Sequence, residues 1–104
     1  MQDLPFASVI VPYFNDLDGL KSCFAALLAQ AYPPQRFEVL FVNNGGESFA
    51  PADPLPSSPI VRFLDEPNPG SYAARNRAIA VATGEILAFT DADCLPARDW
   101  LLKA

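Results

Sequence analysis

Histidine is absent from this 104-residue sequence, and basic residues are few: seven Lys and Arg stand against twelve Asp and Glu, a formal charge of −5. The missing imidazole excludes a histidine metal ligand and a histidine general base within the chain. The acidic balance argues against a nucleic-acid surface, and it means that an anionic ligand bound here needs a cation beside it. Cysteine is scarce as well. Cys23 and Cys94 show no short ligand spacing, so they read as small buried residues rather than as a metal knot or a bridge. No apolar run approaches the roughly 18 residues of a membrane span. Met1-Gln2-Asp3-Leu4-Pro5 lacks the basic start and long apolar run of a leader. The expectation is a soluble, cytoplasmic chain.

What the sequence does have is apolar content, 51% of residues, enough for one compact domain but short for an enzyme with two substrates. Ser8-Val9-Ile10-Val11, ended by Pro12, is a continuous apolar run that suits a strand covered on both faces. Leu17, Leu20, Phe24, Leu27, Leu28 and Ala31 then fall at helical spacing, with Asn15 or Asp16 as N-cap and Pro33-Pro34 beyond. A helix of about four turns is expected. Phe37 to Val42 is a second buried strand, stopped by the turn-forming Asn43-Asn44-Gly45-Gly46. Glu47 to Pro59 shows no period and reads as an irregular crossover, with room for one helical turn. Ile60 to Leu64 makes a third strand, Ser71 to Ala82 a second helix with Ala74, Ala78, Val81 and Ala82 as its packing face, and Glu85 to Thr90 a fourth strand. Pro96 fits the first turn of a short last helix carrying Trp100, Leu101 and Leu102, which the end at Ala104 cuts short.

Strands alternating with crossovers imply an α/β fold with an open, mostly parallel sheet, because parallel neighbours need long right-handed connections. The common winding gives the order 3-2-1-4, with helices on both faces. Strands one and four then sit side by side where the winding reverses, and a crevice opens beyond their carboxyl ends. Pro12 to Asn15 follow strand one and Asp91-Ala92-Asp93 follow strand four, so aromatics and carboxylates share that crevice. An Asp-x-Asp tripeptide alone is weak evidence. At a strand end facing a crevice it gains meaning, because paired carboxylates are costly unless a cation joins them. Mg²⁺ or Mn²⁺ prefers oxygen ligands and keeps places for phosphate, so Asp91 and Asp93 suit a metal bridging to a diphosphate.

Four segments, in this order and spacing, resemble the start of a family-2 glycosyltransferase. They are Ser8-Val9-Ile10-Val11-Pro12-Tyr13-Phe14-Asn15, Phe37 to Gly46, Gly70-Ser71-Tyr72-Ala73-Ala74-Arg75-Asn76 and Ala88-Phe89-Thr90-Asp91-Ala92-Asp93. The resemblance covers nearly the whole chain and implies the Rossmann-like half of a GT-A fold, residues 1–104 being a nucleotide-sugar-binding portion truncated before the acceptor half. It implies a donor that is a nucleotide-diphosphate sugar, foremost a UDP-sugar, an unknown acceptor, and Mn²⁺ or Mg²⁺ as cofactor. By the same resemblance Pro12, Tyr13 and Asn15 flank the base, Asn43 faces uracil or ribose, and Arg75 reaches the nucleotide. Asp91 contacts ribose or sugar and Asp93 is the direct metal ligand. The family usually carries Asp where this chain has Asn43, whose amide offers no charge and a different donor pattern. The carboxylate base of inverting members comes well after the acidic motif, so no catalytic residue is assigned, and the isolated chain is expected to be inactive.

Blander roles stand beside these. Tyr13 and Phe14 also suit the rim of the core, with the hydroxyl of Tyr13 favouring a wet boundary. Arg75 sits within the first turn of its helix, where donors favour anions, whereas Arg77 reads as structural. Glu38 and Glu85 are expected to face solvent, and Trp100 to anchor packing. Two other functions compete: a non-catalytic nucleotide-binding or interaction module, and a phosphotransferase with an Asp-x-Asp nucleophile. The second places that motif after its first strand, unlike this chain. Apolar surface at the cut edge is expected to promote self-association.

Overall fold

The computed structural model describes residues 4–47, 49, 51 and 54–103. Its strands are β1 (Ala7–Tyr13), β2 (Phe37–Asn43), β3 (Ile60–Asp65) and β4 (Ile86–Phe89), and its α-helices are α1 (Leu17–Leu28) and α2 (Ser71–Ile79). The four strands form one parallel sheet in the order β3-β2-β1-β4, the order expected of the common winding. Every residue of β1 and β2 is buried, while β3 and β4 at the edges show mixed exposure. The continuous apolar runs therefore mark the two central strands.

Alternation along β1 divides the core. Ala7, Val9, Val11 and Tyr13 face α1, joined by Val39, Phe41, Leu20, Cys23 and Leu27. Ile10, Leu40 and Val42 face α2, where Ala74 and Ala78 are fully buried. The small side chains let α2 lie close to the sheet. On the α1 face Phe24 packs against Phe41 at 5.3 Å, and Phe41 stacks on Phe63 at 5.2 Å between ring centres.

Several elements depart from expectation for identifiable reasons. β1 does not end at Pro12 but continues to Tyr13. The carbonyl of Ile10 accepts from Thr90 on the β4 side, and that of Tyr13 from Asn44 on the β2 side. Residue 12 thus turns toward β4, whose pairing has already ended at Ile10 and Phe89, so the absent N–H costs no ladder bond. Helix α1 is 12 residues long, a little over three turns, and Asp16 caps it by accepting from the Gly19 N–H at 3.3 Å.

Helix α2 stops at Ile79, before the expected Ala82; the Ala80 and Ala82 N–H groups still bond back to the carbonyls of Asn76 and Ala78, and beyond them the main-chain donors turn to the sheet. The Thr83 N–H donates to the Glu38 carboxylate at 3.0 Å and the Gly84 N–H to Ser8 Oγ at 2.8 Å. Gly84 must be glycine there, since a Cβ would lie 2.5 Å from the Ser8 nitrogen. Glu38, expected to face solvent from its place at the strand start, is instead 3% exposed. Glu85 is exposed as expected.

The last helix is absent as an α-helix: only a 3-10 turn forms, Leu101–Lys103. The side chain of Gln30 intervenes. Its amide Nε2 donates to the Ala97 carbonyl at 2.7 Å and its Oε1 accepts from the Leu101 N–H at 2.9 Å, the two groups that an α-helix would join to each other. Trp100 packs on the α1-side core, as expected of an anchor. The crossover after β2 carries no helix or strand among its described residues; residues 48, 50, 52 and 53, part of the stretch read as irregular, lie outside them.

Candidate functional site

The carboxyl ends of β1 and β4 meet at a cleft of about 240 Å³ lined by Pro12, Tyr13, Phe14, Asn15, Asp16, Asp91, Ala92 and Asp93. A smaller hollow joins Pro12, Tyr13 and Phe14 to Asn44 and Asp91. The winding reversal thus brings together the two segments that the sequence placed there. A larger apolar groove, about 360 Å³, lies between α1 and the crossover. Among the described residues it holds no carboxylate, and we assign it no part in this chemistry.

The acidic segment is shaped by a turn. Thr90 separates β4 from Asp91, and the Cys94 N–H donates to the Asp91 carbonyl at 3.0 Å. Ala92, 7% exposed, tucks into the α1-side core, which leaves Asp91 and Asp93 exposed on either side of it. The small residue between the aspartates is the peg of this turn. The Cys23 thiol, buried on α1, donates to the same Asp91 carbonyl at 3.8 Å. Burial, then the neighbouring Cys94, Asp91 and Asp93, push that thiol up to about 11, so it stays protonated and serves as a support for the turn.

Ligand atoms of Asp91, Asp93 and Cys94 lie within 4.8 Å of one another. The Asp93 carboxylate accepts from the weak Cys94 thiol at 3.8 Å. Metal–oxygen bonds of about 2.1 Å allow two ligands of one Mg²⁺ to be at most about 4.2 Å apart, a modest side-chain rotation away. Two exposed oxygen donors with open surroundings fit a hard divalent cation that keeps places for phosphate and water. The softer thiol is not needed for such an ion.

The two aromatics exchange their expected places. Tyr13 is 5% exposed and belongs to the α1-side core, whereas Phe14 is 62% exposed over the cleft. Burial raises the Tyr13 hydroxyl above its ordinary value, a main-chain hydrogen bond with Phe49 opposes this, and Asp65 adds to it. The signal was present in the sequence: residue 13 shares the parity of Val9 and Val11 on the strand, and residue 14 lies beyond it.

Asn15 has a left-handed φ of 55° and Asp16 one of 50°, which together turn the chain from β1 into α1. Asn15 Oδ1 accepts from the Glu47 N–H at 2.8 Å. Gly46 sits directly beside it, where a Cβ would lie 2.7 Å from the Asn15 nitrogen. The glycine that closes the Asn-Asn-Gly-Gly turn is therefore what lets the loops after β1 and β2 touch. Asn43 is 6% exposed, and its amide is engaged with Gly46 in both directions, accepting from its N–H at 3.1 Å and donating to its carbonyl at 3.2 Å. An Asp at this position would lose the second bond. Asn43 still lines a neighbouring hollow with Gly45, Gly46, Asp65, Glu66 and Pro67. Asn44, not singled out from the sequence, ties that loop to the one after β3 through the carbonyls of Glu66 and Asn68 at 3.1 and 2.7 Å. Arg75 is exposed, and its guanidinium lies 5.6 Å from the ring centre of Phe89. It is on the α2 side of β4, and it does not line the cleft with the other candidates.

The model of glycosyl transferase family 2 matches residues 8–104. The chain belongs to this family. Among its relatives, the glycosyltransferase AglE of Haloferax volcanii is 38% identical over 102 residues, covering 94% of this chain and 34% of that protein. An uncharacterized glycosyltransferase of Escherichia coli, YibD, is 38% identical over 89 residues, 83% of this chain and 25% of that one. Among solved structures, the mannosyltransferase PcManGT from Pyrobaculum calidifontis, in complex with GDP-Man and Mn²⁺, superposes with a TM-score of 0.78 at 29% identity over 93% of this chain and 30% of its own. S. aureus TarS, at 23% identity and TM-score 0.78, shares the fold. The family-2 chain described here thus spans about a third or less of the length of these proteins, and its sheet is the parallel portion of a GT-A fold.

Proposed function

We propose that this chain is the donor-binding portion of a metal-dependent glycosyltransferase, which moves a sugar from a nucleotide-diphosphate donor to an acceptor. The observation that carries the reading is the single cleft that joins the Pro12 to Asn15 edge to the Asp91-Ala92-Asp93 turn. In this reading Asp93 holds Mn²⁺ or Mg²⁺ with Asp91 beside it, and Asp91 also serves the ribose or sugar. The bound ion supplies charge for the leaving diphosphate. Pro12 and Asn15 shape the rim toward the base. Exposed Phe14, rather than buried Tyr13, offers the apolar face for it. Asn43 holds the loop beside the base, and Arg75 reaches the nucleotide by swinging from Phe89. The relative solved with GDP-Man and Mn²⁺ supports a nucleotide donor and a divalent ion, while the resemblance in sequence favours a UDP-sugar.

Calorimetric titration with UDP and GDP tests this reading. Binding of one of them in the presence of Mn²⁺, lost on chelation, is the expected outcome. Absence of binding by both, or binding indifferent to chelation, contradicts it. A second reading, a nucleotide-binding module without catalysis, draws on Asn43, whose amide is engaged by Gly46 where the family carries a carboxylate. Sugar transfer by a longer protein containing this sequence, supplied with the donor that binds, separates the two.

A further inference from the structure

We infer that the hollow beside Asn43 receives a guanine base and that Asp65 selects it, which, resting on the donor-binding reading above, makes the donor a guanosine diphosphate sugar. The resemblance in sequence favours uridine instead. Tyr13, Asn43 and Asp65 are register partners at the carboxyl ends of β1, β2 and β3, while Asp91 and Asp93 lie past the end of β4 on the other side of β1. From β4 to β3 there are three strand spacings, about 14 Å. A diphosphate held at Asp91 and Asp93 sets the ribose near β1 and carries the base over the ends of β2 and β3. A hollow of about 340 Å³ lies there, lined by Asn43, Gly45, Gly46, Asp65, Glu66 and Pro67.

The two loops that wall this hollow are tied together. The Glu66 N–H donates to the Asn43 carbonyl at 2.8 Å, and the Asn44 amide donates to the carbonyls of Glu66 and Asn68. Its acceptors differ in what they already hold. Asn43 is engaged by Gly46 in both directions, and Glu66 Oε2 accepts from the Asn68 N–H at 3.0 Å. Asp65 is exposed, and among the described residues its carboxylate takes no hydrogen bond and no ion pair. Guanine presents two parallel donors, its N1–H and a 2-amino N–H, at the spacing of the two oxygens of a carboxylate, and such charge-assisted pairs are strong and selective. Uracil presents one N–H between two carbonyl oxygens, whose lone pairs oppose a carboxylate, and adenine has a ring acceptor in that place. The second ring of a purine also carries this edge further along the sheet than a pyrimidine reaches. The base then lies with Phe14 on its near side and Asp65 at its far edge.

Calorimetric titration of the whole chain in Mn²⁺ tests this with three nucleotides: GDP, inosine diphosphate, which lacks only the 2-amino group, and UDP. GDP is expected to bind about tenfold more tightly than inosine diphosphate, and UDP to bind more weakly than GDP by at least about tenfold. Asp65→Asn places an amide N–H₂ against the donors of the base. It is expected to weaken GDP about tenfold and to erase the preference for GDP over inosine diphosphate, with an unchanged circular dichroism spectrum. A merely structural role for Asp65 would weaken all three nucleotides alike and keep that preference. Manganese-dependent binding in which UDP or inosine diphosphate equals GDP overturns the assignment of guanine and leaves the donor-binding reading standing. So does a preference for GDP that survives in Asp65→Asn. Failure of all three to bind overturns both.

Discussion

The two ends of the sheet treat carboxylates in opposite ways. At the amino end Glu38 is 3% exposed, and one of its oxygens accepts from Ser8 Oγ at 2.7 Å, from the Thr83 N–H at 3.0 Å and from Thr83 Oγ1 at 3.1 Å. At the carboxyl end Asp91 and Asp93 stand exposed, gathered by a turn, and among the described residues only a weak thiol contact reaches one of them. A buried carboxylate supplied with donors fixes structure, since its lone pairs are already used. Exposed carboxylates held together without donors are left with lone pairs for a cation. The same functional group is a clasp at one end of the strands and a binding site at the other.

The largest effect is expected where the clasp is broken. Glu38→Ala strands the donors of Ser8 and Thr83 in a buried setting and is expected to lower unfolding free energy by about 3 kcal/mol, read from urea denaturation. Metal-dependent nucleotide binding should persist in whatever fraction remains folded. A loss under about 1 kcal/mol would show that the three hydrogen bonds do not form together.

Next comes the link between the loops at the cleft. Gly46→Ala places a methyl against the Asn15 nitrogen, and is expected to cost about 1–3 kcal/mol of stability as overpacking and to weaken nucleotide binding as well. Unchanged affinity would separate this loop contact from the site. Phe14→Ala should leave stability within about 0.5 kcal/mol and reduce nucleotide affinity by about 1–3 kcal/mol if the ring stacks on the base. The reverse pattern is expected for Tyr13→Ala, where the core is opened. Equal effects of the two would erase the distinction drawn between them.

The smallest effect concerns pH. The Cys23 thiol is raised from 9.0 to about 11 by burial, so the folded state binds its proton more tightly than the unfolded chain. Its contribution to stability is complete below pH 9 and is lost as the pH rises toward 11. A fall in melting temperature across that window, lessened in Cys23→Ala, is expected. In native protein at neutral pH an alkylating agent should modify Cys94, which is exposed, and spare Cys23, which is buried. Mass spectrometry before and after unfolding counts the two.

Much of the fold was legible because burial leaves a plain mark. The runs Val9 to Val11 and Val39 to Val42 are apolar on both faces only because helices cover both, and the alternating order then left one common winding. The cleft followed from that winding. What escaped were features settled by long-range hydrogen bonds. Glu38 looks like a strand-edge charge until Thr83, distant in sequence, is folded onto it. Nothing near residue 101 reveals that Gln30 will take both partners of its helical bond. Tyr13 and Phe14 were separable by strand parity, but only with β1 extended through Pro12, which local preference argues against.

The central claim is that the exposed pair binds the cation through which a nucleotide diphosphate is held. The melting temperature of the whole chain, measured with UDP and with GDP, with and without Mn²⁺, in wild type and in Asp93→Ala, tests it most directly. At a ligand concentration about 100 times the dissociation constant, binding stabilises by about 2.7 kcal/mol, an upward shift of about 10 °C. The account predicts that shift for at least one of the two nucleotides, with Mn²⁺ present and in the wild type alone. A shift that survives in Asp93→Ala, or that needs no metal, would contradict it.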